Sequence, residues 1–583
     1  MFIQQASHLV PCILNQPATL PTHASPTCPL EGPVFPKPAR LSQSAVLQSA
    51  LANLTSTFRD ITSRAQNYSF ALEVFSAHDP QPLFSVLHTA PKLSSNATGV
   101  SKVDENAVFR VGSLTKIYTV YLLLISVGDK IWNEGIVKYV PELQKLAGSG
   151  NGNESMVEGI AWDQVTIGGL ATQMTGIPRD YALLGELTQT PATRDHAVEY
   201  GLPPLSAQER PPCGDFPVCN RTRNPSLAPF TTAAYSNVAF QLLGYALETI
   251  TGKKFEALLT DAVLKPLGLN STFLHAPDRS RGVIQGNPDA VGWTFDLGEA
   301  APAGNIYTSI HDLSELGRSI LSYRLLDPVT TRRWLKPFSF STDPRAAVGA
   351  PWGARRINVV KGQPYRWTTA FNKAGRISDY SSVLAILPDY DIGISVLLAG
   401  ELPGNANFNL LDIIGETLLP AIESAAREEA GAGYSGHYAY ADTAKNLNSS
   451  LTIVTDDQPG LGVTQWISNG TDFLTMSTVL QNGYFPLNPR IRLYPTGLES
   501  SGGGSRKTRS VGFKATFEDA DAASKAEAMF STDCATWINV GSVTYGNFAL
   551  DEFVFNFDDD GSGSGSSSSS VTLPALRITL DRK

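Results

Sequence analysis

The sequence has few of the features that mark membrane, nucleic-acid-binding or metal-dependent proteins. No run approaches the ~18 consecutive apolar residues that a membrane span needs, and no basic tract accompanies the net charge of −9. The 8 histidines are scattered, without the His-x-x-x-His spacing that sets two metal ligands on one helix face. We therefore expect no membrane span, no nucleic-acid partner, no metal and no other cofactor.

Cysteine is also scarce, with 5 in 583 residues. Cys213 and Cys219 flank a short loop in which a local disulfide fits, and Cys28 and Cys534 are candidates for a bridge between the two ends of the chain. Cys12 is then left over. The alternative interpretation is a set of reduced thiols in a cytosolic enzyme.

The amino terminus lacks a good secretory signal, because no cation precedes Lys37 and Pro11 breaks its short apolar run. Eight Asn-x-Ser/Thr sequons nevertheless indicate glycosylation. They lie at Asn53, Asn67, Asn96, Asn153, Asn220, Asn270, Asn448 and Asn469. We expect a secreted protein, with a cytoplasmic location as the alternative.

The chain divides by composition into three parts. Residues 1–42 are rich in proline and predict an extended segment. Residues 43–430 mix helical and strand patterns, and the turn spacing over 350–400 predicts an antiparallel sheet flanked by helices. After a predicted hinge at 425–433, residues 434–583 contain short β runs and almost no helix. The expected fold class is α/β (α+β), followed by a smaller all-β domain.

Several elements of the larger part can be predicted individually. Leu47, Leu51, Leu54 and Phe58 share one face of a helix over 43–66, and a hairpin follows at 68–88. Further helices are expected at 166–176, from Tyr235 to Gly252, after a capping box at Ser309 and Asp312, and at 407–428. A long proline-rich insertion at 182–230 is expected to border a functional cleft. Serine- and glycine-rich stretches at 500–507 and 558–570 predict loops.

The chemistry begins with Ser113 and Lys116. Serine is a poor nucleophile at neutral pH and needs an adjacent base. A lysine three residues later on a helix lies on the same face, within reach of the serine hydroxyl. Ala107–Val111 predicts a short strand, and the apolar run after Leu114 predicts a buried helix. A serine at that helix start also lies beside free main-chain N–H groups that can stabilise an oxyanion.

Two further motifs follow in order. Tyr235-Ser236-Asn237 lies at the head of a predicted helix, and Lys373-Ala374-Gly375 lies between two strand runs. A second Tyr-x-Asn at Tyr545 lies in the β-rich part, where no helix follows. Taken singly, each residue has an ordinary structural interpretation, such as a core tyrosine, a helix cap or a solvated lysine. Together with Ser113 they form an ordered set.

This set resembles the active-site serine family of class C β-lactamases, penicillin-binding DD-peptidases and related esterases. Around the three motifs, FRVGSLTKIYTVYLLLISVGDKI, VTIGGLATQMTGIP and YSNVAFQLLGYALETITGKKFEALLTDAVLKPLGL also resemble that family, over roughly residues 45–430. The resemblance implies an antiparallel sheet flanked by helices, with a helical subdomain. The β-rich part resembles appendages of some family members.

The resemblance also implies the role of each residue. Ser113 would be acylated while Lys116 and Tyr235 exchange its proton, with either as the formal base. Asn237 would bind the substrate amide or position the lysine. The remaining roles concern substrate: Lys373 would supply positive charge, Gly375 would let substrate approach the strand, and the main-chain N–H groups of Ser113 and Arg376 would form the oxyanion hole.

Two positions depart from the family pattern. The family commonly has Thr or Ser where this chain has Ala374, and that hydroxyl helps to hold a carboxylate. Efficient β-lactam turnover is therefore less expected. Gln173 stands where the family often has His, at a position that is usually structural.

The sequence therefore predicts a serine hydrolase or acyltransferase acting on a small-molecule ester, amide or lactam. A β-lactamase or a D-amino-acid peptidase is one alternative. A non-catalytic binding or scaffold protein that kept the fold is another. A third possibility is that the β-rich part binds polysaccharide through aromatic residues, although these are more often core residues: Tyr438, Tyr440, Trp466 and Tyr484.

Overall fold

The computed structural model describes most of the chain, in two compact units. The described residues are 28–95, 98–143, 157, 159–180, 187, 196–203, 224–442, 447–501, 508–522, 529–530, 534–558 and 567–583. One unit, which we call the sheet unit, contains 37–359 and 367–426, and the barrel unit contains the described residues up to Pro36, 360–366 and those from Arg427 onward. The expected Cys213–Cys219 disulfide, most of the 182–230 insertion and most of the two serine- and glycine-rich loops lie outside the described residues.

An eight-stranded sheet in which all neighbours run antiparallel organises the sheet unit, in the order β2-β1-β10-β9-β8-β7-β6-β5. Its strands are β1 (Tyr68–Ser76), β2 (Phe84–His88), β5 (Ser339–Phe340), β6 (Ala346–Val348), β7 (Gly353–Asn358), β8 (Trp367–Ile377), β9 (Tyr380–Leu387) and β10 (Ile392–Gly400). A separate two-stranded ribbon pairs β3 (Val108–Arg110) with β4 (Tyr307–Ser309). The hairpin and the antiparallel sheet expected from the sequence are confirmed.

Helices of the sheet unit cover both faces of the sheet. They are α1 (Ala45–Arg64), α2 (Pro91–Ser95), α3 (Thr115–Ser126), α4 (Ile167–Ala171), α5 (Val238–Thr251), α6 (Phe255–Leu259), α7 (Lys265–Leu267), α8 (Ala301–Gly304), α9 (Ile310–Leu321), α10 (Pro328–Trp334) and the start of α11 (Ala406–Tyr434). Phe70 and Phe75 are five residues apart on β1 and so point to opposite faces. Phe70 packs against Phe58 of α1, and Phe75 lies against Gly317 of α9.

The buried face of α1 agrees with the sequence pattern, because Leu47, Leu51, Leu54 and Phe58 are all buried. Two helices differ in extent. The helix that begins at cap residue Thr166 ends at Ala171, since Gln173 adopts φ 64° and stops it. The α5 helix starts at Val238, three residues after Tyr235, and ends at Thr251, where Gly252 follows in the left-handed conformation typical of a helix terminus.

The stretch predicted as a hinge, 425–433, is helical, although the boundary between the two units falls within it, after Ala426. Helix α11 runs without a break through Tyr434, because the alanine, arginine and glutamate residues of this stretch are strong helix formers. Its last residue packs its ring against Phe513, Phe555 and Phe557 in the barrel unit. A composition that looks like a linker is therefore a continuation of the helix.

The barrel unit is a closed antiparallel sheet. Its strand order is β12-β11-β21-β20-β19-β16-β15-β13, and β13 pairs back to β12. The unit contains β11 (Gly436–Asp442), β12 (Leu447–Val454), β13 (Leu461–Ser468), β14 (Thr471–Asp472), β15 (Pro489–Ser501), β16 (Thr508–Asp519), β17 (Thr544–Tyr545), β18 (Phe548–Ala549), β19 (Glu552–Asp558), β20 (Ser570–Leu573) and β21 (Ile578–Arg582). Closure leaves few unpaired edges. The expected all-β character is confirmed.

The barrel unit also holds helices α12 (Phe473–Asn482) and α13 (Thr536–Asn539), which the sequence analysis did not predict. Cys28 and Cys534 form the expected disulfide. Tyr438 and Trp466 are buried, as core residues rather than a surface platform. Among the described residues, no helix has both the length and the apolar character required to cross a membrane.

Candidate active site

Ser113 lies in a single 3₁₀ turn between β3 and α3. Gly112 before it has φ 53°, and a Cβ added there would lie 2.9 Å from the main-chain nitrogen of Arg376 in β8. A Cβ on Gly375 would lie 2.7 Å from the main-chain nitrogen of Ser113. Strand β8 thus touches the serine turn backbone to backbone, and only glycine at both positions permits that approach.

Lys116 is completely buried in the first turn of α3. Its Nζ lies 3.0 Å from Ser113 Oγ, 2.8 Å from Asn237 Oδ1 and 2.7 Å from the carbonyl oxygen of Ala303. An ammonium group has three N–H donors and no acceptor. These three partners can therefore take all of its hydrogen bonds when Lys116 is protonated.

Burial controls the protonation of Lys116. Removal from water lowers its pKa from the ordinary 10.5 to about 7, while nearby Asp180 raises that pKa and Arg179 lowers it. A lysine with a pKa near 7 is partly neutral at physiological pH, so it can accept a proton from an adjacent hydroxyl. The 3.0 Å separation of Nζ and Ser113 Oγ is short enough for that transfer once Lys116 is neutral and its lone pair faces the hydroxyl.

Tyr235 lies half-buried, three residues ahead of α5. Three cations lie near its ring centroid: Arg179 Cζ at 4.8 Å, Lys116 Nζ at 5.0 Å and Lys373 Nζ at 5.4 Å. Such distances allow cation–π attraction. The structure therefore brings the tyrosine and both lysines of the three sequence motifs together.

Lys373 is also buried, and it lies within β8 instead of between two strands as the sequence predicted. Desolvation lowers its pKa to about 8, the contact with Tyr235 raises it and Lys116 lowers it. Its Nζ donates a hydrogen bond to the carbonyl oxygen of Ala374 at 2.6 Å. Two buried lysines thus contact the same tyrosine ring. Their charges keep this region positive over much of the physiological pH range.

These residues border a cleft of about 340 Å³. It is lined by Ser113, Arg179, Tyr235, Lys373, Ala374, Gly375, Arg376, Ser381, Leu402, Pro403, Asn405, Ala406, Asn407 and Phe408. None of these described lining residues is acidic, whereas three are cationic. Of the predicted site residues, Lys116 and Asn237 are not in this lining and contact Ser113 or each other behind it.

Gln173 is a residue whose contribution the sequence analysis did not recognise. Its side-chain Oε1 accepts a hydrogen bond from the main-chain nitrogen of Ser236 at 2.7 Å, and its carbonyl oxygen accepts one from that of Ala234 at 2.9 Å. The two bonds hold the chain on either side of Tyr235. The sequence shows that Gln173 replaces the usual histidine, but it does not show that the Gln173 side chain binds the main chain of Ser236.

Asp180 is the second residue that sequence reasoning missed. It is buried, and its Oδ1 accepts a hydrogen bond from Asn237 Nδ2 at 2.8 Å. The carbonyl oxygen of the adjacent Arg179 accepts one from the main-chain nitrogen of Asn237, also at 2.8 Å. An aspartate after a Gly-Ile-Pro-Arg turn carries no pattern that would reveal a partner 57 residues away.

The described residues contain no group of three or more histidine, cysteine, aspartate or glutamate side chains that could hold a metal ion. The groups that the structure brings together at the cleft are a hydroxyl, two amines of lowered pKa and a phenol.

The fold and this set of groups agree with the families that the sequence matches. Residues 84–416 match the model of the family described as Beta-lactamase, and residues 426–583 match one described as "Beta-lactamase-like-like, C-terminal domain". The first match spans more than half of the chain. The chain therefore belongs to the β-lactamase family, as the resemblance of its motifs indicated.

Individual relatives extend the similarity beyond the sheet unit. The chain is 28% identical to a "Beta-lactamase-like protein" of Arthroderma benhamiae, over 94% of this chain and 95% of the relative. It is 26% identical to "Probable hydrolase M10" of a Phoma species, over 76% and 73%. It is 28% identical to the "D-alanyl-D-alanine-carboxypeptidase/endopeptidase AmpH" of Escherichia coli K12, over 37% and 50%.

Proposed function

We propose that this protein is a serine hydrolase or acyltransferase that forms an acyl-enzyme on Ser113. The observation that carries the proposal is the 3.0 Å contact between Ser113 Oγ and Lys116 Nζ, inside a buried environment that lowers the lysine pKa to about 7. A hydroxyl beside a partly neutral amine is an activated nucleophile. The matched family and its relatives named as hydrolases support the same chemistry.

In the proposed reaction, Ser113 Oγ attacks the carbonyl carbon of an ester or amide and forms a new C–O bond. Its proton passes to the pair formed by Lys116 and Tyr235. The carbonyl oxygen becomes an oxyanion, stabilised by the main-chain N–H groups of Ser113 and Arg376, each such donor being worth about 3–4 kcal/mol. The C–O or C–N bond then breaks, and the leaving group takes the proton.

The acyl group then passes from Ser113 to water or to a second alcohol or amine. The same lysine–tyrosine pair removes a proton from that acceptor and returns one to Ser113 Oγ. Lys373 contributes positive charge at the cleft, and Gly375 lets β8 approach the turn that carries Ser113, instead of making room for substrate as expected from the sequence. Asn237 positions Lys116 in this scheme, because its Oδ1 accepts the hydrogen bond from Nζ.

We propose an ester or a non-lactam amide as the substrate rather than a β-lactam. Ala374 offers no hydroxyl to a substrate carboxylate, and Lys373 already donates to the main chain at 2.6 Å. The partial similarity to a D-alanyl-D-alanine carboxypeptidase keeps a D-amino-acid amide as the second candidate. The serine chemistry is common to all of these substrates.

Labelling tests the proposal. The full chain and a Ser113→Ala variant are treated with a fluorophosphonate and with a fluorescent penicillin, and the modified peptide is mapped. We expect fluorophosphonate to modify Ser113 and the variant to stay unlabelled. If the probes modify a residue other than Ser113, or if neither probe modifies the protein, the proposed serine chemistry is contradicted. The non-catalytic interpretation would then be favoured. Penicillin labelling at a comparable rate would contradict the preference against β-lactams.

We also propose secretion and a two-domain organisation, with the catalytic domain over 43–430 and the β domain over 434–583. The Cys28–Cys534 disulfide is typical of oxidising compartments. The asparagine side chains of four sequons are exposed: Asn53, Asn67, Asn270 and Asn469. A glycosidase should increase the electrophoretic mobility of the native protein. An unchanged mobility would contradict glycosylation.

A further inference from the structure

We propose that Asp180 is a positioning residue that fixes the side-chain amide of Asn237 and thereby directs Lys116 toward Ser113. The inference rests on the proposed serine chemistry and adds a residue to it. It starts from one chain of contacts, in which Asn237 Nδ2 lies 2.8 Å from Asp180 Oδ1 and Asn237 Oδ1 lies 2.8 Å from Lys116 Nζ.

The charges of the two partners determine which way the amide points. A carboxylate only accepts hydrogen bonds, and an ammonium only donates them. Reversing the Asn237 amide would set its NH₂ group against Lys116 and its oxygen against Asp180, and both contacts would be repulsive. The main chain restrains the same residue, because the Asn237 nitrogen donates to the Arg179 carbonyl at 2.8 Å.

The fixed amide matters most when Lys116 is neutral. A neutral amine keeps two N–H donors and gains one lone pair. The Asn237 oxygen and the Ala303 carbonyl are acceptors only, so each takes an N–H, at 2.8 and 2.7 Å. The lone pair is then left for the third neighbour, Ser113 Oγ at 3.0 Å. That orientation is the one in which the lysine can accept the serine proton.

Asp180 acts at a distance that preserves the reactivity of Lys116. A carboxylate in direct contact would hold the lysine as a cation, since an opposite charge favours the charged form. Interposing the neutral amide weakens that effect. The other charged or titratable groups that face Lys116 are Tyr235, Lys373 and Arg179. Asp180 is thus the one carboxylate among these neighbours that stabilises the protonated lysine.

The test is the second-order rate of fluorophosphonate labelling at Ser113, measured from pH 5 to 9. Asp180→Ala removes the acceptor and should slow labelling by roughly 10- to 100-fold, the range typical of residues that orient a functional side chain. Asp180→Asn should slow it less. Both should shift the rise in rate with pH to lower pH, because they remove the charge that raises the pKa of Lys116. A slower rate with an unshifted profile would indicate general structural damage and overturn the proposal.

A paired exchange separates orientation from folding. Asn237→Asp alone sets two carboxylates face to face, whereas adding Asp180→Asn restores one acceptor and one amide. We expect the double variant to label faster than the Asn237→Asp single variant. Additive losses would contradict the proposal. Asp163→Asn, an exposed position in the sheet unit, should match the wild type. Absence of labelling in the wild type would instead reject the proposed serine chemistry itself.

Discussion

Two buried cations, Arg492 of the barrel unit and Lys116 of the sheet unit, have different kinds of partner. In the barrel unit, Arg492 is almost fully buried and forms a two-pronged pair with Asp456, with both N–O distances at 2.7 Å. Lys514 similarly donates to Asp551 at 2.7 Å. In the sheet unit, Lys116 donates to a hydroxyl, an amide oxygen and a main-chain carbonyl. The nearby carboxylate, Asp180, contacts Lys116 only through the side chain of Asn237.

We infer that this difference separates a structural cation, Arg492, from the proposed catalytic base, Lys116. A direct carboxylate compensates the loss of hydration and keeps a buried cation charged. Neutral acceptors satisfy the hydrogen bonds of Lys116 but do not supply a compensating charge. Burial then lowers its pKa to about 7, into the range where proton transfer is efficient. The predictions below vary this contrast, from the largest expected effect to the smallest.

Replacing Lys116 with methionine should abolish most of the reactivity of Ser113. Removing one member of a nucleophile–base unit costs roughly 10⁴- to 10⁶-fold, and we expect that loss in the fluorophosphonate labelling rate. The melting temperature should change little, because removal of a cation whose burial is costly offsets the loss of its hydrogen bonds to Asn237 and Ala303. A variant that unfolds, or one that labels normally, would contradict the role assigned to this lysine.

Gly375→Ala should disrupt the contact between β8 and the serine turn. The new Cβ would lie 1.9 Å from the carbonyl oxygen of Val111 and 2.7 Å from the nitrogen of Ser113, so the turn must move. A displacement of about 1 Å near reacting groups costs on the order of 100-fold in rate. The matched control is Gly433→Ala in the barrel unit, which has open space within helix α11. It should label normally and gain about 1 kcal/mol in stability.

Arg492→Met should behave in the opposite way to the lysine variant. It removes the cation that pairs with Asp456 and leaves the carbonyl oxygens of Pro459 and Gly460 without this donor. We expect the free energy of unfolding to fall by about 3 kcal/mol, measured by denaturant titration of the full chain. The folded fraction should keep its Ser113 labelling rate. An unchanged free energy of unfolding would contradict the structural role of the Arg492–Asp456 pair.

The pH dependence should follow Lys116. Its pKa is about 7 in the folded protein and 10.5 in ordinary surroundings. Labelling should therefore fall about tenfold per pH unit below 7 and level off above it. The unfolded chain binds more protons between these two values, so this lysine makes stability rise with pH across that interval. A labelling rate independent of pH from 5 to 9 would contradict the proposed base.

Much of the larger architecture could be predicted from local patterns. The face of α1 and the strands β7 to β10 follow from apolar spacing, and so do the main strands of the barrel. Such patterns report which residues are buried. They fail where composition misleads, as at 425–433, where a run of helix formers resembled a linker. The α12 helix was missed because its surroundings are all β.

In the candidate site, too, local patterns predicted some residues and missed the contacts of others. The order of Ser113, Lys116, Tyr235 and Lys373 along the chain was enough to identify the family and to propose a role for each residue. By contrast, the contacts of Gln173 and Asp180 were not predicted, because each residue holds a stretch some 60 positions away through only one or two hydrogen bonds. Contacts of that kind have no local spacing by which a pattern could detect them.

The sequence by itself determined which groups are available: a serine, two lysines and a tyrosine, in the order that this family uses. Only the tertiary structure decided what they can do. Burial removes the water that would keep Lys116 charged, and Asn237, held by Asp180, directs its hydrogen bonds. A pKa depends on desolvation and on neighbouring charges, and these properties exist only once distant parts of the chain are packed together.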